Sequence, residues 1–180
     1  AYRAGLVDLI LTAFEPAPGP ASMAEHNLSG LQARLVRKAV GRGPGQLDLF
    51  VNPESQQTNS LVREAVSTFT ENVRRIEVEV VDLDSFLEEE GIDRVDVLKI
   101  DVQGGESEVL AGAERTLERT DHILIEISFL DPEVDVLFAR LRGHFPFWRP
   151  VNPVHYGADV LFSRERPAEF SAIPPKSGSP

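Results

Sequence analysis

Val95-Asp96-Val97-Leu98-Lys99-Ile100-Asp101-Val102-Gln103-Gly104-Gly105-Glu106 passes from an apolar, β-branched run through a paired-glycine turn into the start of a helical pattern. An apolar run of this length fits a strand covered on both faces, as in a parallel sheet. Val109, Leu110, Ala113 and Leu117 then fall on one face of a helix expected from Glu106 to Arg119. His122-Ile123-Leu124-Ile125-Glu126-Ile127-Ser128 is a second run of the first kind. Strand, helix and strand in this order make a βαβ unit, with a right-handed crossover expected.

The alternation extends both ways. Leu6 to Phe14 reads as an early strand that ends at Glu15-Pro16, and Gly19 to Leu28 as a short helix. Arg34 to Val40 reads as a further strand, and the glycine-rich Gly41-Arg42-Gly43-Pro44-Gly45 as a hairpin link to Gln46 to Val51. Asn52 to Thr58 reads as a polar loop, and Arg75 to Val81 alternates as a strand does. Ser85-Phe86-Leu87-Glu88 has capping-box spacing, with Gly91 placed to close that helix. Asp131-Pro132 supplies an N-cap and a first-turn proline for a helix that Gly143 would end. Phe145 to Arg149 and Asp159 to Ser163 form an antiparallel pair at the end of the sheet.

The expected fold is therefore α/β: a Rossmann-like, mostly parallel sheet with flanking helices and an antiparallel last strand. Residues 1–166 are expected to form one domain. Pro167 to Pro180, rich in Pro, Ser and Gly, reads as a disordered tail.

Composition narrows the function. Among 180 residues, 18 Lys and Arg face 29 Asp and Glu, a net charge of −11. That excess opposes nucleic acid, whose affinity comes from basic side chains displacing counterions, and it opposes an anionic membrane surface. The absence of cysteine removes disulfides, thiolate metal sites and a cysteine nucleophile. No apolar run approaches the roughly 20 residues of a membrane span. The expected partner is a small molecule and the expected compartment the cytoplasm; the oligomeric state is not legible. Lacking an initiator Met, the sequence is expected to begin inside a longer protein.

Ligands of open parallel sheets bind beyond the carboxyl ends of the strands. Glu15 and Asp101 stand at such ends. A carboxylate just past an early strand has two acceptor oxygens, matched to the adjacent hydroxyls of a ribose; the bland alternative is a Glu-Pro turn. Asp101 ends an apolar strand, where an unpaired carboxylate is costly unless solvated or bonded. Gly104 and Gly105 allow a tight turn or a close ligand approach. Glu106 and Glu108 suit a helix N-terminus.

Phe14-Glu15-Pro16, Ala39-Val40-Gly41, Asn59-Ser60-Leu61, Lys99 through Glu106, Val109-Leu110-Ala111-Gly112-Ala113 and Ile125-Glu126-Ile127, in this order, resemble the FkbM-type methyltransferases, similar in turn to the wider S-adenosylmethionine-dependent class. The resemblance covers residues 6–163. It implies methyl transfer from S-adenosylmethionine to a hydroxyl of a small metabolite or sugar. By position it implies cofactor contacts from Glu15, Pro16, Ala39, Val40 and Asp101, and substrate contacts from Asn59, Gln103 and Gly104. Asp101 also resembles the acid beside donor and acceptor. With a reference pKa of about 3.9 it is a weak base toward an alcohol, so its expected part is to orient the hydroxyl or take the proton as the C–O bond forms.

Two departures qualify the resemblance. Gln103 replaces the family's usual Glu, and the family's opening Asp-x-Gly-Ala-Asn-x-Gly turn does not occur. Such a turn lies about 20 residues before the ribose acid, whereas 14 residues precede Glu15. The first strand and its loop are thus expected upstream of Ala1 or lost, and a methyltransferase-like binding module without turnover remains the alternative. Of the histidines, His155 is a candidate base in a loop beside Tyr156. His122 reads as structural and His144 as a helix-end cation, and four scattered histidines argue against a metal site.

Overall fold

Residues 9–54, 59–60, 66–67, 70–102, 104–129, 131–154 and 157–166 are described by a computed structural model. The chain divides into two compact units. The first is Ala1–Phe86 with Val102–Ala113, and the second is Leu87–Asp101 with Glu114–Pro180.

In the first unit, β1 (Leu11–Phe14) pairs in parallel with β2 (Ala33–Val36), Phe14 opposite Val36, and α1 (Pro18–Leu28) joins them. The strand expected from Arg34 to Val40 is broken. Arg37 and Lys38 turn out to Glu25 and Glu79, and the chain resumes as β3 (Ala39–Val40) in another sheet. There β5 (Arg74–Val81) lies between β3 and β4 (Gly45–Val51), parallel to the first and antiparallel to the second. The expected hairpin across Gly41–Gly45 does not form, because the Gly41 N–H donates to Val81 O at 2.9 Å and prolongs the β3–β5 ladder. Ala17, Ala39, Leu49, Val78 and Val80 form this unit's core.

Helix α2 (Leu83–Glu89) starts earlier than the Ser85 capping box implies. Asp82 is the cap, its Oδ1 accepting the Ser85 N–H at 2.7 Å. At the other end Gly91 takes φ 65°, its N–H reaching Glu88 O at 3.2 Å while the Ile92 N–H reaches Leu87 O at 2.8 Å. That pair of bonds is the Schellman closure expected of a glycine there.

The single helix expected from Glu106 to Arg119 is two: α3 (Glu106–Ala111) and α4 (Glu114–Glu118). Gly112 makes the break. A Cβ on it would lie 2.1 Å from Gly41 O and 2.8 Å from Asp82 Cβ. The expected apolar face survives the break, since Val109, Leu110, Ala113 and Leu117 are all buried.

The second unit holds a sheet in the order β6 (Val95–Ile100), β7 (Thr120–Ser128), β9 (Gly157–Ser163), β8 (Phe147–Val154). The pair β6–β7 is parallel, and β9 runs antiparallel to both its neighbours, as expected of the last strand. Helix α5 (Val134–His144) starts two residues after the expected proline: Asp131 Oδ1 takes the Glu133 N–H in a turn ahead of it, Glu133 stands at the cap, and Gly143 lies inside the helix. Ile123, Ile125, Ile127, Leu137, Leu141, Phe145, Val160 and Phe162 are buried in this unit. Each such side chain contributes about 1.5–3 kcal/mol of transfer free energy. Strand β6 differs from expectation: only Ile100 is buried, and Val97 is 61% exposed. With β7 on one side only, it is an edge strand among the described residues.

The fold is thus mixed α/β with parallel and antiparallel pairings and flanking helices. Gly112→Ala should destabilise the protein by about 1–3 kcal/mol, the usual range for forced overpacking. Gly43→Ala, whose Cβ would meet nothing within 4 Å, should be neutral or slightly stabilising. Urea unfolding of the two variants checks this; equal midpoints would mean that the Gly112 contact relaxes freely.

Candidate functional site

At the carboxyl ends of the parallel pair β1–β2, the ladder continues one residue further: the Glu15 N–H donates to Val36 O at 3.1 Å. The chain then turns through Pro16 and Ala17 into α1, with Pro18 in the first turn. Glu15 is half-buried, and its Oε1 accepts the Ala17 N–H at 2.8 Å. A carboxylate has about four acceptor positions, so this bond leaves capacity for further donors. Burial, the larger influence, pushes the Glu15 carboxyl above its ordinary range, and the Ala17 bond pulls it partly back.

Of the residues expected near Glu15, Ala39 is brought close through the core it shares with Ala17. Its methyl is buried, so only its main chain is left for a ligand. Val40 is half-buried and pairs with Val81. Sequence reasoning missed the Ala17 N–H. The signal for it is Pro16, which sits between a carboxylate and the amide two residues on.

Asn59 belongs to the same unit but is engaged structurally: its Oδ1 accepts the Asn52 N–H at 3.1 Å, next to the Phe50–Ser60 bridge. Gly104 is exposed with φ 98°, and its N–H donates to Glu106 Oε1 at 3.1 Å. Glu106 is buried and folds back on the turn that precedes its helix. Glu108 instead forms a two-pronged pair with Arg42, Nε to Oε2 at 3.1 Å and Nη2 to Oε1 at 2.9 Å. That hydrogen bond holds the Glu108 carboxyl below its usual range.

Asp101 lies in the second unit, just after β6. The cost expected of an unpaired carboxylate does not arise. Lys99 Nζ, on the same side of an extended chain two residues away, reaches Asp101 Oδ2 at 2.7 Å, and the Asp101 side chain is 43% exposed. His155 and Gln103 lie outside the described residues. His122 is structural as read, its Nδ1 2.9 Å from the Oγ of buried Ser163. His144 ends α5, with Nε2 3.8 Å from Glu114 Oε2. Among the described residues no cluster of three His, Asp or Glu is set to hold a metal, and no helix is long and apolar enough to cross a membrane.

Comparison with known proteins adds an independent line. A family model described as the methyltransferase FkbM domain matches residues 3–149. The chain is similar to the 2-O-methyltransferase NoeI of Sinorhizobium fredii, with 31% identity over 129 residues, covering 66% of this chain and 53% of that protein. It is similar to methyltransferase 1 of Beauveria bassiana, 29% identical over 135 residues, with 65% and 54% covered. With the 31-O-demethyl-FK506 methyltransferase FkbM of Streptomyces tacrolimicus it shares 26% over 176 residues, with 82% and 68% covered. Among solved structures, methyltransferase FkbM from Methylobacillus flagellatus has the same fold, with a TM-score of 0.54 at 14% identity; the match covers 85% of this chain and 36% of that one. The chain spans about half the length of the first two relatives.

The raised Glu15 carboxyl has a consequence for stability. The folded group keeps its proton to higher pH than the unfolded one. The stability linked to it is therefore full below the unfolded pKa, about 4.3, and is lost as pH rises through the higher folded value. Glu15→Gln keeps an oxygen for Ala17 but does not ionise. Its melting temperature relative to the parent should climb as pH rises across the carboxyl range and then level off. A difference that shrinks with rising pH would show that the ionised form of Glu15 is the better accommodated one.

Proposed function

This chain belongs to the FkbM methyltransferase family, and from that membership we propose that its protein is an S-adenosylmethionine-dependent O-methyltransferase acting on a hydroxyl of a small metabolite or sugar. The observation that carries the reading is Glu15: a half-buried carboxylate at the carboxyl end of a parallel strand pair, with one acceptor position committed to Ala17. A carboxylate held partly out of water with a neutral main-chain N–H as its described partner is disfavoured for folding alone. Its chemistry suits a vicinal diol, which offers two donors and no charge.

The residues present fit the donor's ribose. Glu15 would accept its hydroxyls, with Pro16, Val40 and the Ala39 main chain lining the approach. When bound, the donor supplies an electrophilic methyl group. The chain's share is to hold and orient, since placing two reactants in attack geometry is worth up to about 7–11 kcal/mol in favourable cases. Asp101 would accept a hydrogen bond from the acceptor hydroxyl, keeping it oriented and taking its proton late. One of its oxygens already serves Lys99, which limits the directions from which that hydroxyl can arrive. His155 is the alternative base, and Asn59, Gln103 and Gly104 are the proposed acceptor contacts. The proposed setting is the cytoplasm, checked by fractionation, and the charge balance favours neither nucleic acid nor membrane.

In the complete protein, Glu15→Ala should weaken S-adenosylhomocysteine at least about tenfold, ~1.4 kcal/mol, by calorimetry. An unchanged dissociation constant would remove Glu15 from the site. Asp101→Asn should lower turnover far more than this affinity; equal turnover would leave Asp101 a surface partner of Lys99. Tight binding of S-adenosylhomocysteine with no methyl transfer to any hydroxylated acceptor tried would favour the binding-module alternative.

A further inference from the structure

The segment Glu15-Pro16-Ala17-Pro18 is restrained at every residue. Each residue before a proline is driven out of the helical region, which covers Glu15 and Ala17, while Pro16 and Pro18 have φ fixed by their own rings. Ala17 obeys, with φ −79° and ψ 130°. Its carbonyl accepts the Ala21 N–H at 2.9 Å, starting α1, and its methyl is in the core, 2% exposed. On the other side, the Glu15 N–H is tied to Val36 O. The Ala17 N–H therefore has a direction set by two prolines, a helix start and the core, and it points at Glu15 Oε1 from 2.8 Å.

We infer that the main-chain N–H of Ala17 is a positioning group: it fixes the Glu15 carboxylate and thereby sets which acceptor edge meets a vicinal diol. This rests on the ribose-binding reading of Glu15. A free glutamate side chain has several rotamers, and ordering it on binding weakens affinity. Here the ordering is done before the ligand arrives. The same bond favours the ionised carboxylate against the burial that opposes it, so it keeps Glu15 an acceptor to lower pH.

The test replaces Ala17 by lactic acid in the complete protein. This turns the amide into an ester and deletes the N–H with almost no change of shape. The dissociation constant of S-adenosylhomocysteine is then followed by calorimetry against pH. The ester should weaken binding about tenfold at neutral pH, ~1.4 kcal/mol, and raise the pH at which binding is half lost. A control ester at Ala21, which deletes the helix bond to Ala17 O, should lower stability without moving that midpoint. Should the Ala17 ester fail to fold, the Ala17 amide proton of the parent carries the test: its NMR shift should titrate with the Glu15 carboxyl and persist when S-adenosylhomocysteine binds, and a shift indifferent to pH would overturn the role. If Glu15→Ala loses affinity while the ester keeps both affinity and midpoint, the positioning role is overturned and the ribose reading stands. If Glu15→Ala itself leaves the affinity unchanged, the ribose reading falls and this inference with it.

Discussion

The main chain of Gly112 passes so near the carbonyl of Gly41 and the Cβ of Asp82 that a methyl group there would lie deep inside the van der Waals radii of both. Three features of the first unit meet at this point: the turn leaving β3, the capped start of α2, and the end of α3. The Asp84 N–H adds a bond to Gly112 O at 3.0 Å. The approach explains why the helical pattern after Glu106 breaks where it does.

Legibility of the sequence followed the range of the interactions involved. Strands β1, β5, β7 and β9, and the closure at Gly91, were readable because local alternation, proline and positive-φ glycine act within a few residues. The break at Gly112 was not, since it depends on Gly41, far away in sequence. The strand from Arg34 to Val40 failed for a similar reason: Arg37 and Lys38 are pulled out by Glu25 and Glu79, partners that a local pattern does not contain. Exposure on β6 was missed because apolar composition reports strand propensity and not which faces are covered.

The candidate site divides in the same way. Glu15 could be picked out because a carboxylate ending a strand is locally visible. Asp101 was also visible, yet its charge is not unpaired, since Lys99 stands beside it. The half-buried state of Glu15 is a tertiary property. It sets folding against ligand recognition, because the ionised form that would accept hydroxyls is the one that burial opposes.

The two borders of the second unit's sheet are unlike. Strand β8 carries Pro150 and Pro153 and a register shift between Pro150 and Asn152, features that blunt a border against strand addition. Strand β6 carries neither proline nor irregularity. Endless stacking of copies requires both borders to accept a newcomer. With β8 guarded in this way, strand addition from that border is disfavoured, while β6 has no such guard among the described residues.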